Sequence, residues 1–221
     1  MPHSLGYPLT DADYRKLEKE SWITRELANA AGIFRVTSQQ GADIVVRKNT
    51  KDYSGIVFPY TEPGTGRIRG YRLRRDNPKY EYRPDGTRKE IDKYLTAPGD
   101  SNRLYFPPSV SSALLADTTV PVVIPEGEKK TLALWRLAHY HTDKPRFLPV
   151  GISGVFNWRG RVGREPGPDG KLHDVKGPIP DLDLLTWKNR KVVLLFDSDA
   201  SRKDEVRLAR RKLAEELERR G

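Results

Sequence analysis

Cysteine is absent from the 221 residues, and methionine occurs once. With no thiol, disulfides, cysteine-ligated zinc and thiol nucleophiles are excluded. No apolar run approaches the roughly 18 residues that a membrane span requires. The opening segment, Met1 to Tyr14, lacks a basic stretch followed by an apolar one, so it does not read as a secretory signal. A cytoplasmic protein with no membrane partner is the expectation. Histidine is scarce, at four residues. His139 and His141 are two apart and do not share a helix face; His3 and His173 are isolated, so no histidine metal site is indicated. A Gly-x-Ser-x-Gly motif is missing too, and with it the hydrolase arrangement it marks. There is no internal repeat and no low-complexity segment.

What is present is charge. Lys and Arg total 40 against 30 Asp and Glu, a formal net charge of +10. Such a balance points to an anionic partner, most often nucleic acid; on charge alone, a soluble protein that is simply basic reads equally well. Eighteen Gly and 17 Pro favour many turns over a helical bundle.

Residues 10–32 read as short helices. Thr10 or Asp11 caps the first, Thr24 the second, and Gly32 ends it. From about 33 to 96 the pattern is of strands. Asp43–Val46 and Gly55–Pro59 are short β-type runs. Ile68, Gly70, Arg72 and Arg74 alternate with Tyr71 and Leu73, which predicts a hairpin with two faces. Asn77–Arg88 is polar and turn-rich and reads as a mobile loop, and Lys93–Leu95 as a short strand. In the second half, apolar strands are predicted at Val120–Ile124, Phe147–Ile152 and Val192–Phe196. A helix follows the first of these, a Gly/Pro/Arg-rich loop covers 153–180, and a helical turn covers Asp181–Trp187. A charged amphipathic helix over about 202–220 has Leu208, Leu213 and Leu217 on its buried side. Alternating strands and helices imply a parallel sheet with helices on its faces. Two domains are expected, 1–110 and 111–221.

Sites in open parallel sheets form beyond the carboxyl ends of the strands. One apolar strand here ends in Glu126-Gly127, another in Asp197-Ser198-Asp199. If the strands are neighbours, three carboxylates converge. Their mutual repulsion is relieved by a divalent cation, and all-oxygen ligands select Mg²⁺ or Mn²⁺ over zinc. A metal there binds phosphates and activates a hydroxyl nucleophile. The bland alternative is a helix cap, with Asp199 capping the last helix. Gly127-Glu-Lys-Lys130-Thr131 is not a P-loop, because Lys129 and Ile124 stand where that motif needs glycine. Lys129 or Lys130 suits a phosphate contact at a helix N-terminus, or simply a solvated helix start.

The segments Val123-to-Lys130 and Leu194-to-Asp199 resemble a Toprim domain, the module shared by bacterial primases, topoisomerases and some nucleases. The resemblance implies metal-dependent phosphoryl or nucleotidyl transfer, with Glu126 as the family's glutamate and Asp197 and Asp199 as its Asp-x-Asp. Upstream, Ile56–Pro59, Gly70–Arg74 and Lys93–Leu95 are similar in order to the catalytic core of DnaG-type primases, and imply that Arg74 and Lys93 are basic residues facing the active site. With Glu126–Lys130 and Phe156–Trp158, the chain over roughly 15–220 looks closest to the Toprim-like module of plasmid and phage replication proteins, often joined to helicases. A further acidic motif usual in bacterial primases would lie beyond Gly221, which implies a fragment or a site one acidic element short.

The expected fold class is therefore α/β: a Toprim-like parallel sheet flanked by helices, preceded by a smaller mixed α+β region. The expected activity is primase-type RNA primer synthesis. The template would be single-stranded DNA, the substrates nucleoside triphosphates, and a replicative helicase the implied partner. Glu126, Asp197 and Asp199 would be catalytic and metal-binding; Arg72, Arg74, Lys93, Lys129, Lys130, Trp158 and Arg159 would bind nucleotide or nucleic acid. Trp158 beside Arg159 offers base stacking, or else packs the long loop down. The rival functions are a Toprim-type nuclease and a non-catalytic DNA-binding module of a replicative helicase.

Overall fold

A computed structural model describes residues 5–83, 86–197 and 204–221. It divides into two compact units, residues 1–62 with 67–100, and residues 63–66 with 101–221.

The first unit opens with helices α1 (Asp11–Ser21) and α2 (Arg25–Ala30), capped by Thr10 and Thr24 as their spacing predicts. Strand β1 (Phe34–Val36) follows, then α3 (Ser38–Ile44), β2 (Gly55–Thr61), β3 (Ile68–Arg75), β4 (Lys79–Tyr82), β5 (Arg88–Ile91) and β6 (Tyr94–Leu95). An antiparallel sheet runs in the order β1-β2-β3-β6. Tyr71 and Leu73 turn to one face, with Val57, Val36, Ala42, Val45 and Tyr53 in the unit's core. Arg72 and Arg74 lie on the other face, opposite Phe58 and Ile56.

Two expectations fail in this unit. Asp43–Val46 is not a strand: Thr37 and Gln40 form a reciprocal capping box that starts α3, which runs through Ile44. That local pairing satisfies two backbone donors and outweighs the β-type run that follows. Asn77–Arg88 is not a loop. Lys79–Tyr82 pairs with Arg88–Ile91 in a second, two-stranded hairpin, closed by hydrogen bonds Arg83 N to Thr87 O and Gly86 N to Arg83 O.

The second unit contains α4 (Ser112–Ala116), β7 (Val122–Pro125), α5 (Glu128–Ala138), β8 (Leu148–Pro149), β9 (Arg159–Pro166), β10 (Leu172–Pro178), a 3-10 turn (Pro180–Leu184), β11 (Val192–Leu195) and α6 (Asp204–Arg219). Its sheet is parallel, in the order β11-β7-β8. The fold class is α/β as expected: a parallel sheet flanked by helices, with a smaller antiparallel region. All four residues of β7 are buried, as befits the middle strand of a parallel sheet covered by helices. Val122, Ile124, Leu148, Val150 and Ile152 share a core with Leu213 and Leu217 of α6.

The stretch 101–110, placed in the first domain by sequence, belongs to this second core. Leu104, Phe106 and Val110 are buried in it, Tyr105 forms an antiparallel bridge with Gly151, and the Asp181 carboxylate accepts the Leu104 N–H at 2.8 Å. Arg190, also buried, donates to the carbonyls of Val120 (2.8 Å), Leu115 (2.6 Å) and Leu114 (3.1 Å), tying α4 to the entry of β7. Residues 159–178 form an antiparallel ribbon, β9 with β10, rather than a loop. On α6 the buried residues are Ala209, Leu213 and Leu217. Leu208 is 36% exposed, because its five-residue offset from Leu213 takes it off the four-residue stripe.

No helix among the described residues is long and apolar enough to cross a membrane.

Candidate functional site

The acids predicted to converge lie in the second unit. β11 and β7 are adjacent and parallel, with Leu195 opposite Pro125. The β7–β11 ladder ends there; Glu126 follows its last paired residue by one position and Asp197 by two. Both chains thus leave the sheet at the same edge, each with a carboxylate. Asp199 falls outside the described residues.

Glu126 is half-buried and continues the sheet by a parallel bridge to Ile152; the Gly127 N–H donates to Ile152 O at 2.8 Å. Gly127 has φ 95° and ψ 158°, a region that essentially only glycine enters. This turn reverses the chain directly from β7 into α5 and aims the first turn of the helix at the strand ends. The Thr131 hydroxyl donates back to Gly127 O at 2.8 Å. Gly151 lets the neighbouring chain approach: a Cβ there would stand 2.2 Å from Thr131 Oγ1 and 3.3 Å from Tyr105 Cβ.

Asp197 is about half exposed, and Lys130 from the first turn of α5 forms an ion pair with it. Lys130 is therefore a partner of Asp197 while remaining exposed to solvent. Lys129 sits beside it at the helix start and has interactions of its own. Glu128 and Thr131 are buried beneath these residues. Sequence reading did not single them out. Burial pushes the Tyr105 phenol well above its usual value, and the charge of Glu128 pushes in the same direction. The Glu128 signal was present, an acid at the first helical position, where the helix dipole favours it, but its burial was not.

Hard oxygen donors on two adjacent strand ends suit Mg²⁺ or Mn²⁺. Magnesium commonly takes one or two carboxylates and completes its shell with water and phosphate oxygens. Among the described residues no cluster of three or more His, Asp or Glu side chains could hold a metal ion.

Trp158 and Arg159 lie at the base of the β9–β10 ribbon. Trp158 is 4% exposed and belongs to the core, and the Arg159 guanidinium lies 5.6 Å over its ring. Its faces are therefore covered, and the stacking expected of it does not fit this geometry; Phe156, 39% exposed, is the open aromatic of that segment. Arg159 Nη2 donates to Lys176 O at 3.0 Å, bracing the ribbon.

Arg72, Arg74 and Lys93 belong to the first unit. Arg72 packs 4.8 Å over the Tyr94 ring. Arg74 is opposite Tyr94 across β3–β6, and its Nε is buried with no hydrogen-bond partner. Lys93 forms an ion pair with Glu90. The Lys93 hydrogen bond holds the Glu90 carboxyl below its usual value, against a small opposing effect of burial; the charges of Lys93, Arg74 and Arg88 help. Arg72 and Arg74 thus lie by Tyr94, and Lys93 by Glu90.

Residues 112–221 match a family described as a domain of unknown function (DUF3854). That span contains Glu126, Lys130, Asp197 and the strands and helices that carry them. The chain is also similar to an uncharacterized protein of Picosynechococcus sp. strain PCC 7002, at 29% identity over 86 residues. The similarity covers 39% of this chain and 8% of that protein, so the relative is far longer than the shared part. No solved structure matches the chain.

Proposed function

We propose that the chain carries a metal-dependent nucleotidyl-transfer site of the primase type, working on single-stranded DNA in plasmid or phage replication. The supporting observation is the adjacency of β7 and β11, which brings Glu126 and Asp197 to one edge of a parallel sheet. The resemblance of these strand ends to a Toprim domain, and of the upstream segments to a primase core, supplies the reaction class.

Glu126, Asp197 and Asp199 would hold Mg²⁺ or Mn²⁺, which neutralises charge on the phosphates and lowers the pKa of the attacking hydroxyl. The protein's own part is placement. The Gly127 turn and the Ile152 bridge fix Glu126, half-buried, where it takes a proton from the hydroxyl. Lys130, beside Asp197 at the start of α5, and Lys129 would supply positive charge to the triphosphate at that helix start. Arg72, Arg74 and Lys93, in the first unit, are assigned to phosphates of the template strand. Acceleration comes from positioning and charge stabilisation rather than covalent catalysis. On this reading the protein works in the cytoplasm beside a replicative helicase.

The Lys130–Asp197 ion pair favours a second reading, in which the acids are structural and the chain only binds DNA. One experiment separates them. The protein is incubated with single-stranded DNA, the four ribonucleotides and Mg²⁺ or Mn²⁺. Primase activity yields labelled oligomers, and Asp197→Asn lowers the yield by about 100-fold or more, the scale of losing a transition-state charge contact. DNA binding without product, unchanged in Asp197→Asn, would establish the binding module instead. Cleavage of the DNA without nucleotides would mark a nuclease.

A further inference from the structure

The β4–β5 hairpin carries a feature that the catalytic site does not use. Its register places Tyr80 opposite Glu90 and Tyr82 opposite Arg88, so these four side chains share one face. Lys79, Glu81, Lys89 and Ile91 share the other, where Glu81 faces Lys89 across the strands. Every residue of β4 is exposed; Tyr82 is 74% exposed and Tyr80 44%. Single apolar residues on a surface need no explanation, but two aromatics in line on one face of a projecting ribbon do.

The company they keep narrows the ligand. The Arg88 guanidinium lies 4.6 Å over the Tyr80 ring, leaving Tyr82 as the open aromatic surface. The acid on that face, Glu90, is already ion-paired with Lys93. Arg74 and Arg88 also act on Glu90 electrostatically. Lys93 on Glu90 and Arg88 on Tyr80 thus put two cations beside an exposed tyrosine. Aromatic rings interleaved with surplus positive charge form the recurring surface for unpaired nucleic-acid strands: bases stack on the rings, and phosphates meet the cations. Duplex DNA keeps its base faces covered and gains nothing from such a ring.

We propose that the Tyr80–Tyr82 face of the β4–β5 hairpin is a stacking platform for the bases of single-stranded nucleic acid, with Arg88 and Lys93 receiving the adjoining phosphates. The inference takes from the proposed function only the class of ligand. Its test needs neither metal nor nucleotides, so it fails or survives independently of primer synthesis.

Binding of a labelled oligothymidylate is followed by fluorescence anisotropy, with an abasic oligomer of equal length as the charge-matched control. Tyr82→Ala weakens binding of the oligothymidylate by about 5- to 150-fold, the range of one lost stacking contact. It leaves binding of the abasic strand unchanged. Tyr82→Trp restores affinity, and its added indole emission is quenched by the strand. Equal affinity of Tyr82→Ala and wild type for oligothymidylate overturns the proposal. So does an equal loss on both strands, which would mark a general disturbance of the hairpin. Absence of single-strand binding by the wild-type protein overturns it as well.

Discussion

A buried carboxylate needs partners, and Asp13 has several. It accepts from the Thr10 N–H at 2.9 Å and from Arg35 Nε at 2.7 Å, while Arg35 reaches Asp76 at 2.6 Å. Burial pushes the Asp13 pKa up, but the hydrogen bonds from Arg35 and Thr10 prevail and hold it at about 2. Its unfolded value is about 4. A depressed pKa contributes stability that is complete above the unfolded value and is lost as pH falls through the folded one. Asp13→Asn is therefore expected to lower stability near pH 7 by about 2 kcal/mol, the scale of charge-assisted hydrogen bonds. The gap from wild type narrows as pH falls from about 4 to about 2. Thermal melts of both proteins across that range check it. The Thr10 half of this arrangement was legible in the helix-start spacing. The Arg35 half was not, because a partner 22 residues away is chosen by how β1 packs against α1, not by local sequence. Trp158 teaches the same lesson: an aromatic beside arginines left stacking and packing both open, and burial decided for packing.

At the scale of elements, the β7–α5 junction is the sharpest case. Gly127 at φ 95°, ψ 158° has open space where a Cβ would go. The strain of an alanine there would be in the backbone alone. Gly127→Ala is expected to cost about 1–3 kcal/mol, visible as a lower urea midpoint. It should also depress primer synthesis more than stability explains, since the same turn sets Glu126 and Lys130. The apolar strands β7 and β11 and the β2–β3 hairpin were readable, since hydrophobic runs and period-two alternation are local signals. The β4–β5 and β9–β10 ribbons were not. Their side chains are mostly polar on both faces, so no apolar alternation marked them. Their register is held by backbone pairing and by polar cross-strand contacts such as Arg164 with Asp174 and Arg88 over Tyr80. Helix α3 was missed because its capping box precedes a run of β-favouring residues.

At the scale of the molecule, each unit has its own buried cluster. A fragment of residues 101–221 is expected to unfold cooperatively by circular dichroism. One beginning at 112, where the family match starts, should not, because it lacks Leu104, Phe106 and Val110 from the core and the Tyr105–Gly151 bridge. Equal melting of the two fragments would show that the 101–110 segment is dispensable. The amino-acid sequence by itself determined the α/β class, the helix caps, and the carboxylates that end two apolar strands. Those follow from side-chain period and near-neighbour hydrogen bonds. Only the tertiary structure decided that β11 lies beside β7, that Lys130 pairs with Asp197 67 residues away, that Trp158 is inside and that Tyr82 is outside. Adjacency and burial are set by contacts between segments far apart in the chain, and no local pattern encodes them.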